Sequence, residues 1–366
     1  MKKVLFLTTF LTIAFLGLQA QGKFVNEFLN IGVGARAHGM FGSVVASSND
    51  ASAAYWNTAS LTRLNAPLSV SVMHANWYGD IANFDYFTIA KRLGQHNKAY
   101  GAISFIRLGV DNVPNTLNIV NPDGTIDFEN VTEFKAADYA FLLSYARSIG
   151  KADKLALGGN VKIIRRLVGN FGSAWGFGAD LSMKYKISEN LSLGATVRDI
   201  TTTFNTWSFD LSEEEKEVFQ RAGNEVPVST SGITLPRLIA GLAYQGEIGS
   251  QFFYLAELDA NISSYGTQSG IFSGENFSLE PSLGAELGYA RRVYLRLGIG
   301  NLQRVLNEVN TAKRDFELQP NLGLGLVLGR LKVDYAFANV GKVSGSAASS
   351  HIFSLNLDLA EKPASK

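Results

Sequence analysis

From about residue 67 to residue 359 the chain alternates apolar and polar positions in about fourteen stretches. In 279–290, Leu279, Pro281, Leu283, Ala285, Leu287 and Tyr289 share one face, and Glu280, Ser282, Gly284, Glu286 and Gly288 the other. In 318–328, leucines at 318, 322, 324, 326 and 328 alternate with Gln319, Asn321, Gly323 and Gly325. Period two with one apolar face is the signature of a half-buried strand. The stretch 98–110 carries apolar residues on both faces, so its phase is open.

The connections alternate too. Those near 94–97, 150–153, 188–189, 246–250, 291 and 329–330 are tight, whereas 111–135, 201–236, 263–276, 301–316 and 339–348 are long. The connection 169–174 is short on the long side. An even set of antiparallel strands with tight turns at one end and long loops at the other is the layout of an outer-membrane barrel. The expected fold is all-β: an antiparallel transmembrane β-barrel of about fourteen strands, with both termini periplasmic and the long loops outside. Inside loop 201–236, Ser212-Glu213-Glu214-Glu215 reads as a capping box opening a helix over about 213–222 that stops at Gly223.

The N-terminus changes the picture next. Lys2 and Lys3 precede an apolar run over residues 4–18, and Leu18-Gln19-Ala20 offers a cleavage site, so 1–20 reads as a secretory leader. Residues 21–65 then form a segment folded into the lumen, 66–360 the barrel, and 361–366 a periplasmic tail. A chain 46% hydrophobic yet 18% charged fits strands that carry apolar residues singly toward outer-membrane lipid. Phe and Tyr, 24 and 13 in number, suit interfacial girdles. There is no cysteine, which removes disulfides and thiol chemistry. A net charge of +1 gives no electrostatic case for nucleic acid.

Candidate chemistry is sparse. Four histidines show no metal-ligand spacing and no G-x-S-x-G elbow occurs, so neither a metal, a cofactor nor an enzyme is expected. Gly32-Val33-Gly34 with Gly39 follows no βαβ strand and reads as tight packing of the lumenal segment. Inward positions of the strands carry charges of both signs, among them Glu257, Asp259, Glu286, Arg292 and Arg296. Such a mixed set suits a neutralising network around a plug better than a selective pore. Arg36 is the plug residue expected to pair with Glu257, Asp259 or Glu286.

Two blocks before the first strand, Phe28-Leu29-Asn30-Ile31-Gly32-Val33-Gly34-Ala35-Arg36-Ala37-His38-Gly39-Met40 and Asn49-Asp50-Ala51-Ser52-Ala53-Ala54-Tyr55-Trp56-Asn57-Thr58-Ala59-Ser60-Leu61, resemble the N-terminal signature of the PorV/PorQ family of FadL-like outer-membrane barrels. Phe41 stands where that signature has glycine and Thr58 where it has proline; the first should crowd the turn after Met40. The resemblance implies fourteen strands and a plug that includes Trp56 and Asn57. It also implies a binding or assembly role in type IX protein secretion, with a translocon barrel or cargo C-terminal domains as partners. FadL-like relatives instead pass hydrophobic solutes through a gap in the barrel wall, and that is the alternative. For the first role the expected binding residues are the apolar positions of the long loops: Val113, Leu117, Ile119, Phe204, Trp207 and Phe209.

Overall fold

A computed structural model describes residues 25–359, apart from 78, 95–98, 120, 122, 151–152, 222, 224, 265–271, 275–276, 307–312 and 344–345. The expected leader and polar tail lie outside the described residues.

Fourteen antiparallel strands close into one barrel. They are β1 (Leu68–Trp77), β2 (Ala82–Leu93), β3 (Ala99–Asn115), β4 (Thr132–Ile149), β5 (Leu155–Val168) and β6 (Gly172–Lys186). β7 comes in two pieces, Leu191–Arg198 and Thr203–Phe209, and so does β8, Ser231–Thr234 and Arg237–Ile248. β9 (Phe252–Ser263), β10 (Ser278–Tyr289), β11 (Val293–Leu306), β12 (Arg314–Leu328), β13 (Leu331–Val343) and β14 (Ser346–Leu359) complete the wall. β14 returns to β1 with Leu359 opposite Leu68, which leaves no open edge.

The alternation fixes which face is which. In β10, Leu283, Leu287 and Tyr289 are exposed outside while Gly284, Glu286 and Gly288 are buried inside. A soluble protein would need a second layer over that outer face; a bilayer supplies it. β3 explains its own ambiguous pattern. Tyr100, Ala102 and Ile106 point inward and Ile103 outward, and the inner face is apolar because it packs on the plug, where Tyr100 sits with Ala51 and Leu61.

The plug holds a 3₁₀ turn (Glu27–Asn30), α1 (Ala35–Gly39), α2 (Ala53–Trp56) and a second 3₁₀ stretch (Thr58–Arg63). Helices of this length do not persist alone, so the barrel wall holds them. The segment descends through the lumen. Thr234 Oγ1, in the upper piece of β8, donates to Val25 O at 2.9 Å. Arg63, at the far end, donates to Asp153 O in the β4–β5 turn at 2.5 Å. Val25 therefore lies on the loop side of the plug, while Leu359 ends at the turn side.

Two expectations shift. Val113 belongs to β3, and Phe204, Trp207 and Phe209 belong to the upper piece of β7, so these four are strand residues. The Asp199-Ile200-Thr201-Thr202 break looks like a strand end in sequence, yet the chain resumes pairing with β6 beyond it, Phe204 opposite Phe177. Arg292 is exposed at the tight turn between β10 and β11, outside the lumen. The loop helix, α3, spans Glu213–Arg221, with Ser212 N donating to Glu215 at 2.7 Å and Glu215 N to Ser212 Oγ at 3.2 Å.

Candidate functional site

The plug is fastened by buried charge. Arg36 Nε lies 3.0 Å from Glu286 Oε2, and Arg296 Nε lies 2.5 Å from the same oxygen. Arg296 also reaches Asp334 at 2.7 Å. Two cations and two anions thus alternate across β10, β11, β13 and α1, which is how a lumen accommodates ions away from water. On β9, Asp259 accepts the backbone N–H groups of Val44 (3.1 Å) and Val45 (3.2 Å), and Glu257 accepts that of Ala46 (2.5 Å). Asn57 donates to Val45 O at 2.8 Å and to Met183 O at 3.0 Å, tying plug to plug and plug to wall. Thr58 Oγ1 donates to Asn160 at 2.9 Å.

Backbone contact closes the remaining space. A methyl group on Gly298 would sit 2.2 Å from Met40 C and Phe41 N, and one on Gly194 would sit 2.3 Å from Val45 O. Phe41 adopts a left-handed conformation (φ 53°), and its ring is admitted only because position 300 is glycine. The crowding expected at this position is thus absorbed by local backbone strain and by the wall.

Above the plug the lumen widens to a cup of about 480 Å³, within the range of small-molecule sites. His38, Phe41 and Trp56 contribute to its floor, and Trp77, Ile239 and Pro281 to its wall. Trp56 Nε1 donates to Val33 O at 2.8 Å, so its polar tip is satisfied, and the ring, packed edge-on with Tyr55 and beside Arg198, still lines the cup. The His38 ring lies 5.2 Å from that of Trp77, and its Nε2 is 3.2 Å from Gly32 O. Burial pushes the His38 imidazole down to about 4, so it is neutral at ordinary pH. Glu280, Asn261 and Gln319 make the cup amphipathic.

The wall beside the cup is interrupted. Residues 199–202 bulge between the two pieces of β7, with Asp199 and Thr202 at positive φ, and 235–236 separate the two pieces of β8. Arg198 and Arg237, which flank this break, also line the cup. Toward β6 the bulge is stitched: Ile200 N donates to Ala179 O, and Lys162 Nζ lies 2.8 Å from Asp180 and 2.6 Å from Asp199. Toward β8, Pro236 has no N–H to give.

The structure brings Arg36, Trp56, Asn57, Glu257, Asp259, Glu286 and Arg296 together around the plug. Trp207 and Phe209 stack on each other (5.9 Å, 12°) on the half-buried face of β7. Phe204 points outward, and Leu117 and Ile119 are half-buried in the β3–β4 loop. Sequence reasoning missed Phe41, Trp77 and Ile239 as cup residues. Trp77 carries a usable signal, a tryptophan at the inward loop end of a strand.

No family model and no curated protein matches the chain. Solved structures do. The Ralstonia pickettii toluene transporter TbuX matches with a TM-score of 0.54 at 12% identity, over 89% of this chain and 98% of its own. The P. putida toluene transporter TodX matches with 0.55 at 12%, over 90% and 99%. The monoaromatic hydrocarbon channel CymD matches with 0.54 at 14%, over 90% and 98%. The fold is that of the FadL-like barrels. At these identities the likeness concerns architecture alone.

Proposed function

We propose that this chain is an outer-membrane barrel that admits small hydrophobic, aromatic solutes to the lumenal cup from outside and releases them sideways through the wall. The observation that carries this reading is a cup with aromatic floor and wall above a plug packed shut on glycine backbone. A solute entering from the loop end meets the plug below, and the interruption between β7 and β8 lies at the side of the cup. The architecture shared with hydrocarbon transporters supports the reading. In intact cells, deleting the gene should lower uptake of a labelled monoaromatic at limiting concentration, and restoring the chain with Phe41→Asp should not rescue it. Equal uptake with and without the gene overturns the proposal.

A second reading is favoured by different residues. The long-loop side exposes Ile126, Phe128 and Val228, and the plug carries the PorV/PorQ-like signature. Both suit a binding and assembly role in type IX secretion, with a translocon barrel or cargo as partner. Affinity purification from native outer membrane separates the readings: co-elution of either partner supports this one.

A further inference from the structure

The outer surface of the barrel is not uniform around its circumference. On β9 the outward residues counted from the turn end are Phe252, Tyr254, Ala256, Leu258, Ala260 and Ile262. That is eleven residues of apolar face, the span a tilted strand needs to cross a bilayer. β10 and β12 match it, reaching Leu279 and Leu318. Over four neighbouring strands, β14, β1, β2 and β3, the apolar face stops early. β1 turns polar at His74, β2 at Asp85, β3 at Arg107 and β14 at His351. The shortfall is about four to six residues, roughly 10–15 Å along the membrane normal at the usual tilt.

His74, Asp85 and Arg107 form one connected patch with Asn76 and Asp80. His74 Nδ1 lies 2.7 Å from Asp85, and Arg107 lies 3.1 Å from the same carboxylate. His74 Nε2 is 2.9 Å from Asn76 Oδ1, and Asn76 also donates to Asp80. The His74 side chain is 54% exposed, Asp85 36% and Arg107 31%. Ionised groups at the depth where the other wall is greasy are costly against lipid.

We propose that the outward patch His74–Asp85–Arg107 is an interface between two copies of this chain. A second copy inserted the same way carries the same patch at the same depth, whereas an unrelated partner would need a polar patch matched to it. The patch holds both signs, so a twofold axis along the membrane normal can set each copy's arginine against the other's acids. Phe87 and Phe105, directly below on the same face, supply apolar area to surround the charges. The proposal is independent of what the cup holds.

The absence of cysteine makes the test clean. Phe87→Cys, oxidised in native outer membrane, should give a disulfide-linked band at twice the monomer mass, and Leu295→Cys on the far wall should not. Combining Phe87→Cys with His74→Leu, Asp85→Leu and Arg107→Leu should lower the linked fraction about tenfold while heat-modifiable mobility persists. No band from Phe87→Cys alone overturns the proposal, and so does a band formed only with a different polypeptide. An undiminished band from the leucine variant overturns the role of the charges.

Discussion

Glu286 is the hinge of the plug's ion network, and its position orders the cost of two substitutions. Removing one partner of a buried pair costs about 3–5 kcal/mol because the other charge is left uncompensated. In Arg36→Ala the orphan would be Glu286, but Arg296 still sits 2.5 Å from it. The loss should therefore fall below that range, at about 2 kcal/mol. Glu286→Ala instead strips the carboxylate from two guanidiniums at once. Arg296 keeps Asp334 at 2.7 Å, while Arg36 keeps, among the hydrogen bonds of the described residues, a single 3.4 Å contact with Ser47 and the more distant charges of Asp50 and Glu257. That variant should lose the full 3–5 kcal/mol. The double variant should cost no more than Glu286→Ala, since the stranded arginine is gone. Guanidinium unfolding in detergent, read by tryptophan fluorescence and heat-modifiable mobility, gives the three values. If Arg36→Ala costs as much as Glu286→Ala, or if the double variant is worse than both, Glu286 is not the shared anchor.

Gly298→Ala places a methyl group within 2.2 Å of plug backbone, so it should destabilise by about 1–3 kcal/mol, whereas Gly329→Ala, with open space around it, should show only the cost of its positive φ. His38 has a folded value of about 4, below the usual 6.5 or so. Its contribution is therefore full above about pH 6.5 and is lost as pH falls toward 4, about 3 kcal/mol in all. A denaturation series over that window should show the loss, and His38→Gln should flatten it. Glu27→Cys, exposed at the cup, should react with an impermeant maleimide on intact cells, while Lys154→Cys at a tight turn should not. Reversed labelling would invert the assigned orientation.

The barrel was legible because lipid on one side and lumen on the other force a strict period of two, as in β10. The charges around the plug were legible for the same reason: Glu286 and Arg296 occupy inward positions that lipid could never tolerate. What escaped the pattern lies where the environment changes along a strand. β3 faces plug on one side and lipid on the other, so both faces are apolar. The upper piece of β7 was hidden by the Asp199–Thr202 bulge, which carries turn residues yet only interrupts the ladder, and this is why Trp207 and Phe209 read as loop. The cup was illegible because Phe41, Trp77 and Ile239 come from the plug, β1 and β8, which only closure of the barrel brings together. Arg292 misled because period two cannot tell the last inward position from the first turn residue.

The central claim is that the cup binds aromatic solutes on its own tryptophans. The chain has four, of which Trp175 faces outward and Trp207 lies on β7. With Trp175→Phe and Trp207→Phe, only Trp56 and Trp77 report. Titrating the purified barrel with a brominated monoaromatic should then give saturable quenching that Phe41→Asp abolishes. Quenching that rises linearly without saturation, or that survives Phe41→Asp unchanged, would contradict the claim.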